Sequence, residues 1–191
     1  MNRARGACLD RDQSLLLVVD VQTRLAPHIA DRAALVARVG ALLATARIFG
    51  IPRRLTEHCP GQLGVVVEEV RAGFTDDEIF VKTFFGAAEH EEFVAMLRST
   101  GRSQLVVAGM EAHVCVMQTV LGLLNLGFEV TAVADAIGSR VSRRRDRALA
   151  LGRMRDAGAI LASSETVLFE WTRSGDHAAF REILDVIKAL P

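Results

Sequence analysis

At 191 residues, half of them hydrophobic, the chain suits one domain with a sizeable core and leaves no room for a second. Its 23 basic and 23 acidic residues cancel, so no overall field draws it to nucleic acid or an anionic membrane surface, and its apolar runs fall short of the roughly 18 to 20 residues that span a bilayer. Cys8, Cys59 and Cys115 stand at unrelated spacings, which argues against a disulfide framework and for a reducing compartment, with the cytoplasm the expected location.

Residues 1–13 are charged and lack the apolar core of a secretory signal. They read as a flexible N-terminal arm, and residues 14–191 as the single folded domain. Leu15 to Val19 is a continuous apolar run closed by Asp20, the pattern of a strand buried on both faces. From about Ala30 to Phe49 the apolar positions Leu35, Val36, Val39, Leu42, Leu43 and Ala46 follow a helical repeat, ended by Gly50 and Pro52. Pro52 to Thr56 reads as a short strand, Glu57 to Gly64 as a loop rich in turn residues, and Ile79 to Val81 as a strand ending at Lys82. A helix is predicted from about Glu89 to Ser99, a strand over Gln104 to Ala108, and a helix over Val114 to Leu126 stopped by Gly127. Phe128 to Ala134 follows as a strand ending at Asp135. Arg143 to Asp156 then reads as a helix, Ala159 to Ala162 as a strand, and Ser164 to Trp171 and Asp176 to Leu190 as helices.

Six strands separated by helical segments are βαβ units, which predict a three-layer α/β/α fold around a six-stranded parallel sheet, Rossmann-like in its winding. Such sheets bind ligands beyond the carboxyl ends of their strands. Asp20 and Lys82 fall at two of those ends, and Cys115 opens the helix that follows a third. A lone cysteine is commonly packing; three reactive side chains on one edge make a candidate site. A free thiol titrates at about 8.5 and needs help to become a nucleophile at neutral pH. Asp20 can take its proton, while the Lys82 ammonium and the start of a helix favour thiolate. Backbone N–H groups of the turn from Gly109 to Cys115 lie where an oxyanion would develop. The implied reaction transfers an acyl group to sulfur, releases ammonia or an amine, and hydrolyses the thioester, with no metal or organic cofactor.

These residues resemble the isochorismatase-like cysteine hydrolases, most closely the isochorismatase-domain-containing subgroup. The resemblance rests on Leu16-Leu-Val-Val-Asp20-Val-Gln22, Lys82-Thr-Phe-Phe85, Gly109-Met-Glu-Ala-His-Val-Cys115 with Gln118-Thr119, and Asp135-Ala136 followed by Ser139-Arg140. It implies an isochorismatase-type fold, a catalytic triad of Asp20, Lys82 and Cys115, a cis peptide bond between Met110 and Glu111, and an oxyanion hole from the backbone of Glu111 and Cys115. It also implies a small-molecule substrate with a C–N bond to cleave, an amide or a carbamoyl compound.

Two departures bear on the substrate. Where nicotinamidases of that family carry an Asp-x-His metal site, this chain has Glu57 and His58 adjacent. Neighbours rarely serve one ion, so no metal is expected. The cysteine that isochorismate hydrolases lack is present. Leu25, His58, Phe84, Phe85 and His113 are candidate pocket residues, and Trp171 is a pocket wall or core. The arginines between Arg140 and Arg147 read as a solvated helix face, although they include candidates for holding an anionic substrate. A homo-oligomer is expected, with the segments Val114 to Leu126 and Phe180 to Leu190 available to cover a partner subunit. Two rival readings stand beside the hydrolase: a binding or scaffold protein that kept the fold without the chemistry, and a thiol redox protein using Cys115.

Overall fold

Apolar runs without polar alternation become the centre of the sheet, because each of their faces meets a different core. In the computed structural model, which describes residues 8–191, β1 (Ser14–Val19) sends Leu16 and Val18 into one hydrophobic cluster and Leu15, Leu17 and Val19 into another. Successive strand residues point to opposite faces, so a strand covered on both sides must be apolar throughout. Each fully buried leucine contributes roughly 1.5–3 kcal/mol relative to an exposed one. The other strands are β2 (Arg53–His58), β3 (Ile79–Lys82), β4 (Gln104–Met110), β5 (Glu129–Gly138) and β6 (Ile160–Ala162). All pair in parallel, in the order β3-β2-β1-β4-β5-β6.

Helices α1 (Arg32–Ile48), α7 (Ser164–Thr172) and α8 (Phe180–Lys188) cover the first face; α4 (Glu91–Arg98), α5 (Met117–Asn125) and α6 (Arg144–Asp156) cover the second. Two short helices, α2 (Pro60–Leu63) and α3 (Glu68–Arg71), interrupt the connection from β2 to β3. The three-layer α/β/α architecture is the predicted one. Among the described residues, no helix is long and apolar enough to cross a membrane. The apolar faces of α5 and α8 are covered within the chain: Val120 and Leu123 pack into the second core and Ile183 into the first. Those positions therefore do not require a partner subunit.

The winding reverses between β1 and β4, and a crevice opens at the carboxyl ends of strands where such a reversal occurs. Gly109 makes this seam tight. Its φ is +128°, and a Cβ there would lie 2.1 Å from the Val19 carbonyl oxygen, so no side chain fits.

Four sequence expectations change. The Glu57 and His58 positions belong to β2 and not to a loop, because the ladder with β3 continues to His58 opposite Lys82. Asp135 lies inside β5, in an irregularity where pairing jumps from Val107–Ala132 to Gly109–Ile137. There its carboxylate accepts hydrogen bonds from the Ser164 N–H at 2.7 Å and the Ser164 hydroxyl at 2.8 Å, which fastens the start of α7. Arg147 leaves the solvated face to donate to the carbonyls of Ala134 and Ile137 in the same irregular stretch, whereas Arg143, Arg144 and Arg145 are exposed. Finally, the loose arm expected over residues 1–13 gives way to anchored chain from Leu9 on. Leu9 is buried, and the N–H groups of Leu9 and Asp10 donate to Glu170 and Gln104. Residues 1–7 lie outside the described residues. Trp171 is core: it is fully buried and its indole N–H donates to the Ser14 hydroxyl at 3.0 Å.

Candidate active site

Asp20 leaves β1 with a left-handed backbone (φ 51°), and its N–H still bonds the Thr56 carbonyl of β2. That turn sets the carboxylate at the strand end. One oxygen, Oδ1, accepts from the Thr56 hydroxyl at 2.7 Å; the other, Oδ2, accepts from Lys82 Nζ at 2.6 Å. Lys82 ends β3, two strands away, and its ammonium also donates to the carbonyls of Phe84 at 3.3 Å and Phe85 at 3.1 Å. An ammonium has three donors, so all are engaged. The ion pair is sealed, with side-chain exposures of 1% for Asp20 and 0% for Lys82. Buried charges persist only when paired and fully hydrogen-bonded, as these are.

Cys115 approaches from β4. The Met110–Glu111 bond is cis, and a π-helical turn over Ala112–Val116 precedes α5. The sequence placed Cys115 in the first turn of an α-helix; the structure puts it fourth in this wider turn, a deviation that recurs at functional sites. The residue is 6% exposed. Its thiol is acted on by both Asp20 and Lys82, and here the sequence reading needs correction. Burial, the largest influence, pushes the thiol well above its ordinary range; the Asp20 charge adds to this and the Lys82 charge only partly opposes it. The resting sulfur is therefore a protonated thiol with a proton acceptor at hand, not a standing thiolate. Alkylation of Cys115 by iodoacetamide, followed by peptide mass spectrometry, is expected to be slower at pH 7 than that of a free thiol and to keep rising above pH 9. A plateau reached below pH 8 would contradict this.

The turn is tied to the end of β5 at two points. The buried Glu111 carboxylate accepts from the backbone N–H and the Nε of Arg140, both at 3.0 Å, and His113 Nδ1 pairs with the Ser139 hydroxyl at 3.1 Å. His113 is thus engaged by Ser139. The Glu111 side chain and Arg140 were missed as a pair, since nothing local in sequence links residues 29 apart. Among the candidate pocket residues, Phe84 and Phe85 are exposed at the end of β3, and Leu25 is partly buried against the first core. His58 lies against Phe85, with ring centroids 5.0 Å apart.

Glu57 and His58, neighbours on one strand, point to opposite faces. The Glu57 carboxylate accepts from the Val66 N–H at 2.7 Å, and among the described residues no group of three or more His, Cys, Asp or Glu is arranged to hold a metal ion. Gln22 is the other residue the sequence reading passed over. It is fully buried, and its amide reproduces a strand's hydrogen bonds, accepting from the His58 N–H at 2.9 Å and donating to the His58 carbonyl at 3.0 Å. A buried glutamine two residues past a strand-end aspartate was the available signal.

Comparison with known proteins bears on the family and the fold. The isochorismatase domain matches residues 14–166. Isochorismatase domain-containing protein 1 of Danio rerio is 37% identical over 176 residues, 92% of this chain and 61% of that protein, so the chain spans about three fifths of that relative's length. The MAR1 ribonuclease structure from Caenorhabditis elegans has a TM-score of 0.89 at 33% identity, covering 97% of this chain and 95% of that one. YcaC from Pseudomonas aeruginosa, solved with hexane-2,5-diol and covalent acrylamide, has a TM-score of 0.87 at 31% identity, covering 95% and 92%. The chain belongs to the isochorismatase family and has its hydrolase fold.

Proposed function

We propose that this protein is a cysteine hydrolase that cleaves the C–N bond of a small amide or carbamoyl compound through a thioester on Cys115. The observation that carries the reading is the sealed Asp20–Lys82 pair, 2.6 Å apart, beside the buried Cys115 thiol where the sheet reverses its winding.

With the thiol protonated at rest, nucleophile formation and attack go together. Asp20 takes the thiol proton as sulfur bonds to the substrate carbonyl carbon, and the carbonyl oxygen becomes an oxyanion facing the backbone N–H groups of Glu111 and Cys115. The intermediate collapses as the C–N bond breaks, and Asp20 returns its proton to the departing nitrogen. A water then gives a proton to Asp20 and attacks the thioester; the acid leaves and the sulfur regains a proton. Lys82 holds the carboxylate in place through their ion pair. Neither a metal nor an organic cofactor is needed for this sequence.

Covalent acrylamide in the P. aeruginosa relative is in keeping with a nucleophile on this fold. A standing redox role fits less well, because thiol oxidation begins from an exposed thiolate and Cys115 is buried and protonated. Ribonuclease activity, the name given to the C. elegans relative, would set a polyanion against a chain with no net positive charge. The test is direct: incubate the protein with a panel of small amides, ureas and carbamoyl compounds, measure ammonia release, quench, and map adducts. An acyl group on the Cys115 peptide from a substrate that releases ammonia is expected. Turnover with the adduct elsewhere, or with none in rapid quench, would refute the mechanism.

A further inference from the structure

Glu111 is a buried residue whose main chain serves the mechanism above and whose carboxylate does not. It is 6% exposed, and its side chain turns to the end of β5, where Oε1 accepts from the Arg140 N–H and from Arg140 Nε, both at 3.0 Å. Its carbonyl takes the N–H groups of Val114 and Val116, so the turn that carries Cys115 is built on this residue. The Arg140 main chain is fixed without help from its guanidinium. It bridges Ile29, and its carbonyl accepts from the Arg143 N–H at 2.7 Å.

A carboxylate in this place is a hazard to the reaction. Covalent geometry keeps a glutamate carboxylate within about 6 Å of its own backbone nitrogen, and the Glu111 N–H is one of the two that receive the oxyanion in the proposed mechanism. Like charges so close together in a site poor in water repel, and that repulsion works against the donors. Arg140 supplies the opposite charge: its Nε lies 3.0 Å from the Glu111 carboxylate, with side-chain exposures of 43% and 7%. Asp20, the other carboxylate of the site, is matched by Lys82 in the same way.

We infer that Arg140 is a positioning residue for the proposed reaction, whose guanidinium offsets the charge of the Glu111 carboxylate so that the Glu111 N–H can stabilise the oxyanion. The inference rests on the hydrolase reading. It differs from a simple tether in what it asks of the side chain. If the hydrogen bond to Glu111 were all that mattered, any donor at position 140 would serve; if charge balance matters, only a cation does.

The experiment uses the full chain and p-nitrophenyl butyrate, whose attack by the Cys115 sulfur forms an S–C bond through an oxyanion and expels p-nitrophenolate. Stopped-flow release of p-nitrophenolate gives the acylation rate constant and the half-saturating ester concentration, and peptide mass spectrometry places the butyryl group. Arg140→Gln, neutral but still able to donate to Glu111, should lower the rate constant by roughly 10-fold while moving the half-saturating concentration by less than about threefold. Arg140→Lys, which keeps the charge, should stay within about threefold of wild type. Adding Glu111→Gln to Arg140→Gln should recover most of the loss, since the charge to be offset is gone. Alkylation of Cys115 by iodoacetamide displaces iodide and builds no oxyanion, so Arg140→Gln should change its rate by less than about threefold. An unchanged acylation rate in Arg140→Gln, an Arg140→Lys protein as slow as Arg140→Gln, a double variant no faster than Arg140→Gln, or acylation and alkylation falling together would each overturn the role given to Arg140. A wild type that releases no p-nitrophenolate and carries no butyryl group on Cys115 would instead remove the hydrolase reading itself, and this one with it.

Discussion

Cys115→Ala is expected to reduce turnover by about 10⁵-fold or more, since removing a covalent nucleophile costs nearly as much as removing the machinery around it. The same substitution should scarcely touch the fold. Cys115 contributes one sulfur atom to the second core, and its loss leaves a void smaller than those made by Leu→Ala changes, which cost 2–5 kcal/mol; about 1 kcal/mol is the corresponding expectation. Cys115→Ser keeps the shape but replaces the thiol by a hydroxyl that is far harder to deprotonate, so it too should be nearly inactive. Ammonia release, read alongside thermal unfolding, separates the effects. A Cys115→Ala protein that unfolds like wild type and retains a tenth of its activity would end the thioester mechanism.

Lys82→Met should have the largest effect on stability. The ammonium is replaced by an apolar chain of similar length, and the buried Asp20 carboxylate loses its counter-ion while keeping the Thr56 hydroxyl. Removing one member of a buried ion pair costs about 3–5 kcal/mol, because the other keeps its desolvation penalty. Urea unfolding at pH 7 measures this. Adding Asp20→Asn to Lys82→Met should return part of the loss, since no buried charge is then stranded, and the double variant should be more stable than the sum of the two single changes predicts. Neither variant should turn over substrate. Wild-type stability in Lys82→Met would mean that the pair is not closed to water as the structure has it.

The centre of the sheet was legible because β1 and β4 are buried on both faces, which forces continuous apolar runs such as Leu15 to Val19. The polar ends of the apolar runs were legible as well: Asp20 closes the buried run of β1, and Lys82 closes the short run Ile79–Val81. What escaped were features made by side chains bonding to distant backbone. Glu57 and His58 looked like loop because they are polar, yet Glu57 is held by the Val66 N–H and His58 by Gln22. Asp135 looked like a strand end, yet the strand runs on through an irregular stretch whose carbonyls are taken by Arg147. The protonation of Cys115 was misjudged for a related reason. Its position after a strand suggested the exposed, positive end of a helix, whereas the wide turn buries the sulfur, and desolvation outweighs the nearby cation. Burial of that kind depends on how the turn packs, which local pattern does not report.

The missing side chain at Gly109 has a bearing on how this site can diversify. Because the β1 and β4 main chains touch there, the spacing between the Asp20 carboxylate and the turn that carries Cys115 is set by backbone against backbone. Rotamers play little part in it. The segments that follow β2 and β3, which include the candidate pocket residues Phe84 and Phe85, sit on the other half of the sheet and take no part in that contact. Lys82 is on that half too, held by the Phe84 and Phe85 carbonyls, so it is exchange of those two side chains with their main chain kept in place that is expected to leave the reaction centre undisturbed.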